Sequence, residues 1–519
     1  MSIFPLPGRF NVGDLLLADS LRGDQGRRPY LLTEAAALSR TDAVEKSSRA
    51  GHALRRLGVE PEQRVALLLG DSLDFPVCFW AVLRIGAVAL PLNPLLRPAD
   101  WRAALEDSRA RVLLLDSSLW PAVAADTRGL RHLRAIVAVG PSQPGLPNLG
   151  QLTKREASRL EGERISADDP ALWLYTSGST GRPKAAIHLA GDLVHGVHMF
   201  PRCIGLTGSD LLFSAPRMHF AYGLGNSLLF PLATAGSAVI QAERPTPGNV
   251  LRTLDRFRPS VFFAGPALLQ GMLDTVHGGE ASFQREPRLS YLRFTVSAGE
   301  ALPAPLYRKW RRVMGHEVLD CVGSTENLTF FLANRPGESR PGDSGHPVSG
   351  FELRLVDERG RDVPEGEAGT LWVSGPTAAA RYWNRQDLTS QVMRGRWLVT
   401  GDRFRRLPGG RFEFLGRDDD MIKVGGSWVS PAEVEQVLLS HPGVSECAVV
   451  GRRDERGLGQ AAAIVVARPG YPVSQLSEAL FGHLRSNLVE FKVPRWMEFA
   501  PSLPRTATGK LQRFRLRAG

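Results

Sequence analysis

Tyr175-Thr-Ser-Gly-Ser-Thr-Gly-Arg-Pro-Lys184 decides how the rest of the chain is read. An apolar run, Ala171-Leu-Trp-Leu174, leads into it and predicts a buried strand. Thr176, Ser177, Ser179 and Thr180 offer hydroxyl donors, and Lys184 adds positive charge. Gly178 and Gly181 let backbone N–H groups come close to a phosphate. The spacing is not that of the common phosphate loop, where a glycine precedes the lysine; here Pro183 does. The bland alternative is a polar surface turn, which gives no reason for this run of glycines and hydroxyls.

The decapeptide resembles the signature loop of the adenylate-forming superfamily, which includes acyl- and aryl-CoA ligases, luciferases and stand-alone adenylation domains. A phosphate loop alone could serve many nucleotide enzymes, so the other motifs have to carry the choice.

A chain of 519 residues, 43% hydrophobic, is too long for one ordinary core and suits a soluble multidomain protein. Cys78, Cys203, Cys321 and Cys447 are far apart and form no paired motif. A disulfide framework or zinc site is therefore not expected, and a cytoplasmic setting fits best. The net charge is 64 − 53 = +11. Its arginines are scattered without an aromatic-interleaved block, which predicts a solvated surface and no nucleic-acid partner. Met1 to Pro7 lacks a basic start and a long apolar core, so no secretory leader is expected. Val77 to Leu96 is broken by Arg84, Pro91 and Pro94, which argues for a core helix and strand and against a membrane span.

Helical spacing over Thr41 to Gly58 and Ser72 to Ile85 alternates with apolar strand candidates. Those are Arg64 to Leu69, Ala87 to Leu90, Val112 to Leu115 and Ala135 to Val139. After the signature loop the strand candidates are Leu211 to Ser214, Ala238 to Gln241, Val261 to Ala264 and Phe294 to Ser297. This alternation predicts parallel α/β sheets. From Phe351 the texture turns antiparallel, with Glu352 to Val356 and Thr370 to Val373 flanked by glycine and proline turns. Beyond Gly416-Arg-Asp-Asp-Asp420, Ser430-Pro-Ala-Glu433 reads as a helix start, with Ser430 as N-cap and Glu433 closing a capping box. An α+β unit of about 100 residues follows, within the usual domain range.

Further elements are similar to the same superfamily, in its order and over nearly the whole chain. Ser297-Ala-Gly-Glu-Ala-Leu302 resembles its adenine-side loop, where Ala298, Gly299 and Glu300 would line the base. Asp320-Cys-Val-Gly-Ser-Thr-Glu326 resembles its Gly-Ser/Thr-Thr-Glu element. That implies Glu326 on Mg²⁺, Thr325 near the α-phosphate and Asp320 at the adenine amine. Val322 stands where the family carries an aromatic residue. Thr400-Gly-Asp402 and Arg417 imply the ribose contacts, and Asp419 the hinge. Gly425 and Gly426 would let the pantetheine arm of coenzyme A pass close to backbone. Pro504-Arg-Thr-Ala-Thr-Gly-Lys510 resembles the terminal catalytic motif, with Lys510 bridging carboxylate and α-phosphate. The implied fold is α/β, with a large N-terminal domain (1–417) of parallel sheets plus a small β-barrel-like subdomain. A small mobile α+β domain (418–519) would carry Lys510 as a lid. The implied cofactors and cosubstrates are ATP, Mg²⁺ and coenzyme A.

Phe220-Ala-Tyr-Gly-Leu-Gly-Asn226 resembles the acid-binding helix of benzoate-CoA ligases in particular. Phe220, Ala221, Tyr222, Gly223 and Gly323 would then wall a flat pocket for one ring, with His219 as a gate beside the carboxylate. Benzoate ligases usually carry an apolar residue after the Mg²⁺ glutamate and a histidine two positions further on. Here Asn327 and Thr329 stand there, and both can hydrogen-bond, although Asn327 could equally turn away from the ring and bond to backbone. The expectation is an aromatic acid with a hydrogen-bonding substituent, such as 2-aminobenzoate or a hydroxybenzoate. Three alternatives stay open: a carrier protein as acceptor, a fatty acyl substrate, and a non-catalytic basic nucleotide binder. A homodimer is compatible with every one of them, and no membrane partner is expected.

Overall fold

The computed structural model describes residues 5–18, 21, 23–177, 183–277, 289–424, 427–455, 458–505 and 511–517. Two large sheets form the first part of the fold. One has nine strands, of which Val318–Gly323, Phe294–Ser297, Val261–Ala264, Leu211–Ser214, Ser237–Val239 and Pro29–Leu32 run parallel side by side. The other has seven, with Pro170–Ser177, Val88–Pro91, Arg64–Leu68, Val112–Asp116 and Ala135–Val139 as its parallel part. Val65, Ala66, Leu67 and Leu68 are all fully buried, as expected for a strand covered on both faces. Helix Ala190–Cys203 touches strands of both sheets and buries most of its surface between them.

Expected and observed elements agree closely, and three differences bear on function. The strand predicted over Ala171 to Leu174 extends to Ser177 and pairs antiparallel with Pro183–Leu189, setting Thr176 opposite Lys184. The signature sequence thus spans a hairpin, and the lysine emerges from a strand. The acid-binding segment is helical but not uniform: an α-turn over Ala221–Leu224 passes into a π-turn over Gly225–Leu229, then back to α over Phe230–Thr234. Such π-turns re-aim side chains within a helix. At helix Pro431–Ser440, Ser430 accepts from the Glu433 N–H as predicted. The second half of the capping box is absent, because the Glu433 carboxylate accepts from Lys492 Nζ at 2.7 Å instead.

A five-stranded antiparallel sheet follows, built on Trp397–Leu407, which pairs with Ala368–Ser374, Met393–Arg394 and Arg411–Arg417. Past Asp418–Asp420 the chain forms the hairpin Ile422–Val424/Ser427–Val429 and a three-stranded sheet. Helices Pro431–Ser440 and Val473–Asn487 cover it, and its apolar clusters contain only residues from 422 onward. Among the described residues no helix is long and apolar enough to cross a membrane.

Candidate active site

Some of the expected site residues sit just beyond the C-terminal ends of parallel strands, where open α/β sheets bind ligands, whereas Lys184 opens strand Pro183–Leu189 and Asp402 lies within Trp397–Leu407. After Phe294–Ser297 comes the loop with Ala298, Gly299 and Glu300. Gly299 has φ +91°, and a Cβ there would meet nothing within 4 Å, so the backbone is open on that side. After Val318–Gly323 comes a short 3-10 turn, Thr325–Asn327, capped by the Ser324 hydroxyl. This turn is strapped from outside. His188 Nε2 lies 2.8 Å from the Thr325 carbonyl, Ala379 N–H donates to the Glu326 carbonyl at 2.7 Å, and Thr377 Oγ1 donates to the Asn327 carbonyl at 2.7 Å. Leu328 follows at φ +59°, a left-handed conformation that costs a leucine on the order of 1–3 kcal/mol. The straps hold that strain and fix where Glu326 points.

Glu326 and Lys184 face each other, Nζ to Oε1 at 3.8 Å, both largely buried. Tyr382 stands between them. Its hydroxyl donates to Glu326 Oε1 at 2.6 Å and accepts from Lys184 Nζ at 2.9 Å. Burial pushes the Lys184 ammonium down from the ordinary lysine range, with Glu326 opposing, and burial pushes the Tyr382 phenol up. Asp402 accepts from Arg417 Nη1 at 2.8 Å across the paired strands, so the two expected ribose residues meet directly. Asp320 accepts from the Ser344 hydroxyl at 3.1 Å, and desolvation pushes its carboxyl well above the ordinary range.

Around the expected acid pocket, Tyr222 donates to the carbonyls of Val296 (3.1 Å) and Ala264 (3.4 Å), and its ring meets Phe330 edge-on at 5.5 Å. The hydroxyl is thereby used up by backbone, and the ring is what remains for a ligand. Phe220 caps the helix with its ring tilted against that of His219, centroids 4.1 Å apart, and Ala221 packs against the core. Gly223 and Gly323 press on backbone: a Cβ on Gly223 would fall 2.1 Å from the Arg217 carbonyl oxygen, and one on Gly323 2.8 Å from that of Thr329. Both ring nitrogens of His219, Asn327 Oδ1, Thr329 Oγ1 and Ser297 Oγ are buried without a protein partner. Burial, helped by Arg217, pulls His219 down to about 3, so the imidazole is neutral at ordinary pH. Buried polar atoms are normally paired, so such a concentration on segments meeting Tyr222 suits a polar ligand.

Sequence reasoning missed Tyr382, His188 and Asp71. Asp71 ends the turn after strand Arg64–Leu68 and reaches across to the other sheet. It accepts from the Met218 N–H at 3.1 Å and lies 3.5 Å from Arg217, pinning the acid loop. An acid just past a buried strand could have flagged it; nothing local flagged Tyr382. Gly178, Ser179, Thr180, Gly181, Gly425, Gly426 and Lys510 lie outside the described residues, as does the Ser177 side chain. Lys510's neighbour Leu511, however, donates its N–H to the Glu300 carboxylate at 3.1 Å. Asp419 offers its carbonyl to Arg517 at 2.8 Å.

A family profile described as AMP-binding enzyme matches residues 20–383, and the AMP-binding enzyme C-terminal domain matches 433–510. The chain belongs to the AMP-binding enzyme family. Within it, this chain is 40% identical over 517 residues to the benzoate–CoA ligase of Thauera aromatica, covering 99% of this chain and 97% of that one. It is 33% identical to the anthranilate–CoA ligase of Pseudomonas aeruginosa, over 94% of this chain and 90% of that one. Among solved structures, the anthranilate CoA ligase AuaEII in complex with anthranoyl-AMP superposes with a TM-score of 0.94 at 36% identity, covering 100% of this chain and 98% of that one.

The residues of this AMP-binding enzyme fit its cofactors. Among the described residues no cluster of three His, Cys, Asp or Glu could cage a metal. Glu326 as a lone carboxylate suits Mg²⁺, which is typically held by one or two carboxylates plus substrate phosphates. The open backbone at Gly299 and the Asp402–Arg417 pair suit adenine and ribose.

Proposed function

We propose that this protein is an ATP-dependent aryl acid–CoA ligase that forms an aryl-adenylate and then an aryl-CoA thioester, releasing pyrophosphate and AMP. One observation carries the reading: Glu326, Lys184 and Tyr382 come from distant stretches yet meet through hydrogen bonds, and the Leu511 N–H reaches the Glu300 carboxylate of the adenine-side loop. Full-length likeness to benzoate– and anthranilate–CoA ligases supports the acid class.

Mg²⁺, when bound at Glu326, supplies charge neutralisation for the triphosphate. Lys184 and backbone of the signature hairpin bind the phosphates. Lys510 draws the acid's carboxylate and the α-phosphate together, quenching charge as the carboxylate oxygen attacks and pyrophosphate leaves. The domain from 418 onward then pivots at Asp419 and brings Gly425-Gly426 beside the adenylate. CoA sulfur attacks the acyl carbon, and AMP departs with the carboxylate oxygen. Lys510→Ala should nearly abolish adenylation and spare thioester formation from supplied aryl-AMP.

The acid is a benzoate with a hydrogen-bonding substituent, 2-aminobenzoate or a hydroxybenzoate. Asn327 Oδ1 and Thr329 Oγ1 support this, because facing a bare ring they would stay unpaired at about 1–3 kcal/mol each. A pyrophosphate-release panel of substituted benzoates, with and without CoA, tests it. Unsubstituted benzoate turned over at least tenfold better than every amino- or hydroxybenzoate would sink the substituent. Acid-dependent pyrophosphate release with no CoA-dependent AMP formation would point to a carrier-protein acceptor.

A further inference from the structure

We propose that Tyr382 is a positioning residue for adenylation: its phenol holds Lys184 and Glu326 apart at a fixed spacing, ready for magnesium-bound triphosphate. The proposal rests on the reading above, in which Lys184 meets phosphate and Glu326 meets the metal.

Tyr382 comes from strand Arg381–Tyr382, which pairs antiparallel with Pro183–Leu189 and sets Tyr382 opposite Ala186. That register brings it beside Lys184, two residues away on the neighbouring strand. The residue is 2% exposed, with its ring packed on Ala186 and Ala379 and flanked by Leu388, Val392 and Met393. Its backbone N–H donates to Thr389 Oγ1 at 3.1 Å. Backbone and ring are therefore both fixed, and the hydroxyl has one place to be.

The direction of its proton follows from its neighbours. A lysine ammonium has no acceptor, so the phenol can only accept from Lys184 and must donate to Glu326. The ammonium also lies 4.0 Å from the ring centroid. Lys184 is thus bound by oxygen and ring together and stays 3.8 Å from the carboxylate. Without the hydroxyl, the two charges would close to a direct contact of about 2.8 Å, the usual length of a charge-assisted hydrogen bond. Magnesium and phosphate would then have to break that pair. With the hydroxyl, the carboxylate keeps a fixed orientation, the usual task of a group that hydrogen-bonds a metal ligand.

The test uses Tyr382→Phe, which keeps the ring and its packing and removes one oxygen. Calorimetry would follow α,β-methylene-ATP binding with and without Mg²⁺, and electron paramagnetic resonance would follow Mn²⁺ in the same complex. Both half-reactions would be timed. The expected result is about tenfold weaker binding of the metal–nucleotide complex, a smaller loss without divalent ion, and thioester formation from supplied aryl-adenylate within twofold of the parent. Unchanged metal–nucleotide affinity would overturn the proposal. Equal loss in both half-reactions would too, since it marks a purely structural role. Glu326→Gln separates the two levels: parent-like metal binding there removes the reading of Glu326 itself and the proposal with it. Weak binding in Glu326→Gln beside normal binding in Tyr382→Phe removes the proposal alone.

Discussion

The Leu511 backbone N–H donates to the Glu300 carboxylate at 3.1 Å, tying the residue after Lys510 to the adenine-side loop. Arg505 lies 3.8 Å from the same carboxylate and also pairs with Glu446 at 2.7 Å. A second tie runs from Arg468 to Asp274 at 3.0 Å, with Lys309 at 3.6 Å. These partly exposed links between the two parts of the chain are individually weak and screened by salt. They tie the chain beyond residue 418 to the adenine-side loop and to helix Pro266–His277.

Glu300→Ala should therefore slow adenylation about three- to tenfold and leave thioester formation from supplied aryl-AMP unchanged or faster. Rapid-quench timing of each half-reaction checks this. Added salt should slow adenylation in the parent more than in the variant. Equal slowing of both steps would mean that Glu300 serves folding and not closure.

Asp71 gives a pH signature. Burial raises its carboxyl from 3.8 to about 6 despite Arg217 and the Met218 N–H. Between these values the folded state binds a proton that the unfolded state has lost. The stability contribution is thus complete below pH 4, declines as pH rises toward 6, and is flat above. Asp71→Asn keeps an acceptor for Met218 and removes the titration. The variant should gain relative to the parent between pH 4.5 and 6.5, by up to about 3 kcal/mol. Urea unfolding at four pH values measures it, and a parent–variant difference that does not change with pH would contradict it.

Thr329→Val replaces a buried, unpartnered hydroxyl by a methyl group of similar size. Stability should hold or rise by about 1 kcal/mol, since the orphan is removed. The ratio of kcat/KM for hydroxy- or aminobenzoates over benzoate should fall about tenfold. An unchanged ratio would show that Thr329 does not face the ring.

Gly223→Ala would place a methyl group 2.1 Å from the Arg217 carbonyl oxygen, with the Pro216 carbonyl at 2.4 Å. Both neighbours are backbone and cannot swing aside. The loop bearing His219 should shift, raising KM for the acid at least tenfold with a smaller change in KM for ATP, read from steady-state kinetics. Equal changes in the two constants would argue for general destabilisation.

The parallel strands were legible because Val, Leu and Ala runs buried on both faces leave little choice of structure. The turns at Ser297 and Ser324 were legible because glycines and hydroxyls follow strands in a recognisable order. Tyr382 was not, since its relevance depends on which strand lies beside Pro183–Leu189, a register that no local pattern encodes. Asp71 was hidden for a related reason: its partners Met218 and Arg217 lie in the loop that follows strand Leu211–Ser214 of the other sheet. The π-turn at Gly225–Leu229 was likewise invisible, because the spacing of apolar residues there fits an ordinary helix equally well. The half-formed cap at Ser430 failed on competition, with Lys492 outbidding a backbone N–H for Glu433.

Arg517 grips the Asp419 carbonyl and the Asp420 carboxylate, and Arg513 lies 3.5 Å from Asp420. The segment expected to swivel is thus clasped by side chains only a few positions before Gly519. Neutralising Arg517 would release one side of that clasp, so the stiffness of the swivel is set by a side chain 98 positions downstream of Asp419.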